Sequence, residues 1–144
     1  MPDDPDFMLP FGKADIKRAG TDVTIVANLL YVNRALEAAE ELQKQGISAE
    51  VVDPRTLVPF DKETVIESVK KTGRMVIVHE AHRSAGWGAE VAAMATEEAF
   101  RYLDAPPVRL GTKPCPMPFS LVLENSATPQ VSEIVQAAKH VCYR

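Results

Sequence analysis

Acidic, basic and imidazole side chains crowd two short stretches of the 144-residue sequence: Asp53 and Arg55 around Pro54, then His79, Glu80, His82 and Arg83. An Asp and an Arg two apart can brace a loop through an ion pair or hold an anion, and a His beside a Glu can exchange protons near neutral pH. His79 and His82 also suggest a metal. A zinc-protease helix, however, needs HExxH so that imidazoles four apart share one face. Here they are three apart and leave an apolar run that reads as a strand, so the metal reading fails. Residues 86–91, GWGAEV, begin like a dinucleotide fingerprint but lack its third glycine, and residues 80–85 separate them from the strand. The glycines more simply turn the backbone into a helix, with Trp87 either in the core or an anchor in a protein contact.

Other chemistries lack the residues to carry them. There is no GxSxG and no GxxxxGK[ST], and Ala27 and Asn28 stand where a receiver module needs an acidic pair. Cys115 lies between prolines and Cys142 near the chain end, neither beside an evident activating base, so both read as inert.

The elements that must position these groups are legible from periodicity. Residues 22–28 (DVTIVAN) form a β-branched apolar run of strand length. Val32, Ala35, Leu36, Ala39 and Leu42 then recur at helical spacing, and Gly46 ends that helix. The pattern returns as a strand at 49–53 and a helix capped by Asp61, with Val65, Ile66 and Val69 inward and Gly73 closing it. Residues 74–80 (RMVIVHE) are the most continuous apolar run and should lie mid-sheet. A helix carrying Val91, Ala92, Ala95, Ala99 and Tyr102 follows, then a strand at 107–111. A last helix is announced by Thr128 as N-cap and Pro129 at its first position. Between them, prolines 114, 116 and 118 make a long loop of the sort that is often functional or wraps an interface. Strands alternating with helices predict an α/β, three-layer sandwich with a mostly parallel open sheet and helices on both faces. In such sheets ligands gather at the carboxyl ends of the strands, where Asp53, Arg55, His79, Glu80, His82 and Arg83 would stand. Ion pairs that orient neighbouring loops use the same residue types more often than catalysis does, so the structural or interface reading is preferred.

Length and composition fit one domain: 46% hydrophobic and 25% charged residues can sustain a core. A net charge of −4 with interspersed signs leaves no footprint for nucleic acid or anionic lipid. Two cysteines outside any CxxC suit a reduced intracellular compartment. No apolar run approaches the roughly 20 residues that cross a bilayer. The acidic, proline-bearing start MPDDPDFMLP reads as a linker rather than a leader.

Four stretches in order, LPFGKADIKRAGTDVTIVA, VVDPRTLVPFDKETV, VIVHEAHRSAGWGAEVAA and YLDAPPVRLG, closely resemble the carboxyl-terminal domain of the beta subunit of thiamine-diphosphate-dependent 2-oxoacid dehydrogenases. Pyruvate, branched-chain 2-oxoacid and acetoin dehydrogenases form that family, and the last domain of transketolase is similar at greater distance. The resemblance runs from Leu9 almost to the end. It implies residues 1–20 as a linker and lead-in from a preceding domain, and 21–144 as a transketolase C-terminal-like domain.

It also implies a part of an enzyme rather than a whole one. In the family the diphosphate and magnesium are gripped by the alpha subunit and the aminopyrimidine by the beta subunit's amino-terminal domain, so no cofactor and no catalytic residue is expected in this chain. The expected partners are the alpha subunit, a second beta subunit and the peripheral subunit-binding domain of the acyltransferase core, with no nucleic acid and no membrane. Asp104 matches the acid of the family's LDAP motif that faces basic residues of that small domain, and the terminal carboxylate of Arg144 would lie nearby. Asp53 and Arg55 are then expected to fix their loop and an interdomain contact. Two features depart from the family pattern: Pro54 replaces an aliphatic residue, and the TKPCPMPF loop differs from the commoner GPDTPVPY style. The substrate stays open, and the bacterial cytoplasm is expected rather than a mitochondrial matrix. Two rival functions remain. One is a stand-alone module binding a small anion through Arg55, His79, Arg83 and the amides after Gly88. The other is an enzyme using His79 and Glu80 as acid and base.

Overall fold

Val23, Ile25, Val26 and Ala27 lack polar alternation, and all four are fully buried because their strand has a layer of helix on each face. This strand, β2 (Val23–Ala27), is the middle of five in a computed structural model that describes residues 8–143. The others are β1 (Asp15–Arg18), β3 (Ala49–Asp53), β4 (Met75–His82) and β5 (Val108–Thr112), in the order β1-β3-β2-β4-β5. All pairings are parallel except β1 with β3.

Helices α1 (Leu30–Lys44) and α5 (Val131–Val141) cover one face, and α2 (Lys62–Thr72) and α3 (Trp87–Ala99) the other. Successive strand residues point to opposite sides, so Val76 and Val78 of β4 join the α1/α5 core while Met75 and Ile77 join the α2/α3 core. The fold is therefore the α/β, three-layer arrangement expected from the alternation of elements.

Local signals place the helix ends well in two cases. Asp61 caps α2, its carboxylate accepting from Thr64 N at 3.3 Å and Thr64 Oγ1 at 2.8 Å, and also from Ala14 N at 2.9 Å. Gly73 closes α2 at φ +70°, a conformation an L side chain resists.

Elsewhere tertiary context corrects the expectation. Asp15–Arg18, inside the expected 1–20 lead-in, is an edge strand of the sheet. β4 is interior but one place from the centre, which β2 holds. Tyr102 leaves the inward stripe because α3 ends at Ala99 and a 3-10 turn over Phe100–Tyr102 turns it outward. Thr128 does not cap the last helix. Gln130 does so in a capping box with Glu133, while the Thr128 hydroxyl donates to Glu124 O at 3.0 Å. The proline-rich segment also holds a short helix, α4 (Leu121–Ala127), which periodicity did not show because its Leu121, Val122 and Leu123 are all exposed.

Candidate functional site

The polar residues that sequence reasoning gathered at one edge are divided there by the structure into separate arrangements, and Asp104 stands at the opposite end of the sheet.

At the end of β3, Asp53 Oδ1 accepts from the backbone N of Arg55 at 2.9 Å, which holds Arg55 in a left-handed turn at φ +58°. Its guanidinium then reaches the edge strand and pairs with Asp15 Oδ2 at 2.7 Å. Lys17, also at 2.7 Å, and Arg55 hold the Asp15 carboxyl below the ordinary carboxylate range. The loop is latched a second time, Thr56 Oγ1 donating to Pro59 O at 2.6 Å and accepting from Gly12 N at 3.0 Å. These contacts are structural in kind: every polar head is met by protein.

At the end of β4, His79 is fully buried between the sheet and α3. Its Nδ1–H donates to Ala81 O at 3.0 Å, its ring lies 5.2 Å from that of Trp87, and Nε2 has no partner. The first turn of α3 sits directly on the ring. A Cβ on Gly88 would come within 2.5 Å of Nε2, and one on Gly86 within 2.6 Å of Cε1. Burial, with the nearby charge of Arg109 adding to it, pushes the His79 pKa below its ordinary value, because protonation would leave an N–H at Nε2 with no acceptor. Glu80, the expected proton partner, is exposed and meets the rest of the fold through its backbone, its carbonyl accepting from Thr112 Oγ1 at 2.5 Å. His79 and Glu80 therefore form no acid–base pair. Nor do Arg55, His79 and Arg83 make one anion site, since the first is paired, the second enclosed, and the third lies in the exposed turn beside β5.

The opposite, amino end holds Asp104. Its Oδ2 pairs with Arg74 at 2.9 Å, its backbone N donates to Gly73 O at 2.8 Å, and its carbonyl accepts from the Tyr143 hydroxyl at 2.8 Å. Arg74 in turn donates to Asp22 O at 3.2 Å. The glycine that ends α2 also makes room here, for a Cβ at Gly73 would meet Asp104 Oδ2 at 2.8 Å. Asp104 thus presents a half-exposed carboxylate next to Tyr143, with Phe100 and Tyr102 exposed on the preceding turn. Arg144 and residues 1–7 lie outside the described residues.

Sequence reasoning missed Asp15, Arg74, Arg109 and Lys113. Only Arg109 left a trace, as a charge in the apolar stretch 107–111. Among the described residues, no group of three or more His, Cys, Asp or Glu could hold a metal ion. Nor, among those residues, is any helix long and apolar enough to cross a membrane.

The family model for the transketolase C-terminal domain matches residues 12–134. The pyruvate dehydrogenase E1 component subunit beta of Rhizobium meliloti (strain 1021) is 48% identical over 139 residues, 96% of this chain and 30% of that protein. The mitochondrial pyruvate dehydrogenase E1 component subunit beta-2 of Oryza sativa subsp. japonica is 49% identical over 141 residues, 98% of this chain and 38% of that one. A solved split-gene transketolase, described as an inactive beta4 tetramer, superposes with a TM-score of 0.81 at 32% identity, covering 97% of this chain and 44% of its own. The chain thus spans less than half the length of each of these relatives.

Proposed function

From a chain that belongs to the transketolase C-terminal domain family, we propose the carboxyl-terminal domain of the beta subunit of a thiamine-diphosphate-dependent 2-oxoacid dehydrogenase, with pyruvate as the parent's substrate. The observation that carries this is the span: relatives named as pyruvate dehydrogenase E1 beta subunits match 96–98% of this chain at 48–49% identity. The parent would decarboxylate the 2-oxoacid oxidatively and acylate a lipoyl-lysine. In the parent the thiamine diphosphate and magnesium would be held by the alpha subunit and the beta subunit's preceding domain, and among the described residues of this chain no group of three or more His, Cys, Asp or Glu could hold the metal. The bacterial cytoplasm is its proposed location.

The role of this part is assembly and docking. Around the carboxyl end, Leu29, Val58 and Phe119 in connecting segments and Leu30 at the start of α1 are exposed apolar side chains that suit contact with the alpha subunit and a second beta subunit. At the other end the Asp104 carboxylate, beside Tyr143, offers acid to the basic peripheral subunit-binding domain of the acyltransferase. Arg74 anchors Asp104 in place and leaves a second carboxylate oxygen for the partner. Surface plasmon resonance on an immobilised peripheral subunit-binding domain tests this. Binding should weaken as salt rises from 50 to 300 mM, both concentrations being approximate and chosen to shrink the screening length. Asp104→Lys should weaken it at least about tenfold, roughly the cost of reversing a rim charge. Unchanged capture by the folded variant would remove Asp104 from the docking surface, and no capture by the wild type would remove the docking role.

A further inference from the structure

A cleft of about 380 Å³ lies beside β5, walled by the β4–α3 turn, the end of β5 and the segment leading into α5. It is apart from both the docking end and the Asp53–Arg55 loop. Three cations line it: Arg83, Arg109 and Lys113. Among the described residues none of them has an acidic partner. Arg109 donates to Arg83 O at 3.1 Å and Lys113 to Ser126 O at 2.6 Å, bonds that fix the heads without neutralising them. The Arg83 guanidinium makes no hydrogen bond to any described residue. The one acid in the lining, Glu133, already accepts from Gln130 N at 2.8 Å in capping α5.

The backbone brings the cations together. Gly111 allows it, because a Cβ there would lie 2.8 Å from Ala81 O and 2.9 Å from Arg83 N. Arg83 N then donates to Thr112 O at 3.2 Å, stapling the turn to β5. Two guanidinium forks and an ammonium are the groups that chelate phosphate oxygens, the forks in pairs and the lysine as a point charge. Three positive charges against one negative match a dianion, and the cleft has room for an organic remainder beyond the phosphate itself.

We infer that this cleft binds a small phosphate-bearing molecule through Arg83, Arg109 and Lys113. The test is thermal unfolding of the 144-residue chain against sodium phosphate and, separately, glycerol 3-phosphate, with sodium chloride at matched ionic strength. Both phosphates should raise Tm saturably, by roughly 3–6 °C at about twenty times a millimolar dissociation constant, while chloride does not. A tighter response to the ester assigns the cleft to organic phosphates, and an equal one to the free ion. The double variant Arg83→Gln, Lys113→Gln should keep the wild-type Tm without ligand and lose the response. Arg83→Lys should weaken it several-fold. A matching shift with chloride, an undiminished response in the double variant, or protection by an acidic peptide and neither phosphate would overturn the assignment.

Discussion

Gly88→Ala puts one methyl group where the fold has no space. The added Cβ would sit 2.5 Å from His79 Nε2, 2.6 Å from Cδ2 and 3.1 Å from Ile77 Cγ2. The imidazole cannot simply swing away, for it is fully buried, bonded through Nδ1 to Ala81 O at 3.0 Å and packed on Trp87. Relief requires either moving the first turn of α3 off the sheet or giving up that bond and ring contact. Overpacking of this kind costs about 1–3 kcal/mol, and the lost bond and disturbed ring pair add about 1–2. Against this, Gly→Ala in a helix gains at most about 1 kcal/mol, less in a first turn. The net expectation is a loss of about 2–3 kcal/mol, or roughly 6–10 °C in Tm for a chain of this size. Urea unfolding followed by the fluorescence of Trp87, the single tryptophan, reads this directly, with far-UV circular dichroism as a second probe. His79→Ala removes the obstacle, so the double variant should be more stable than the sum of the two single losses by about 2 kcal/mol. A Gly88→Ala protein as stable as the wild type, or strict additivity in the double variant, would refute this account of how α3 seats on β4.

Burial of His79 and of Asp61 leads to two further expectations. His79 is held neutral by burial, so its folded pKa lies below the unfolded 6.5. The unfolded chain then binds the extra proton first. Stability from this group is complete above about pH 7 and falls as pH drops through 6.5 toward the folded value, with a slope of at most about 1.4 kcal/mol per pH unit. His79→Gln should flatten urea midpoints between pH 7.5 and 5.5, approximate limits set by that window. A wild-type midpoint constant over the window would contradict it. Asp61 is held below the ordinary carboxylate range despite its burial, because Ala14 N and Thr64 donate to it. Asp61→Ala should cost about 1.5–2.5 kcal/mol by equilibrium unfolding, since it frees the start of α2 and the segment before β1 together, whereas a loss of about 0.5 would mean the Ala14 contact contributes nothing.

Much of the site was illegible in the sequence for a stateable reason. Asp53 and Arg55 are two apart, and their local bond follows from that spacing, but the guanidinium's partner is Asp15, forty residues earlier. His79 and Glu80 look like a proton-transfer pair in one dimension. Strand alternation sends their side chains to opposite faces, one into the α2/α3 layer and one to the surface. Gly86 and Gly88 were legible as a turn into a helix, yet their necessity arises from the imaging of α3 onto His79.

By itself the sequence determined what depends on neighbours in the chain: which runs form strands, which helices end at Gly73, that Asp61 begins one, and through four ordered stretches the family resemblance. Tertiary structure decided what depends on crossovers. These include the strand order, the recruitment of residues 15–18 as an antiparallel edge, the pairing of Asp104 with Arg74, and the meeting of Arg83, Arg109 and Lys113 around one cleft. The physical reason is range: periodicity and capping act within about one or two helical turns, whereas an ion pair or a close glycine contact exists only after distant segments have been brought to adjacent strands.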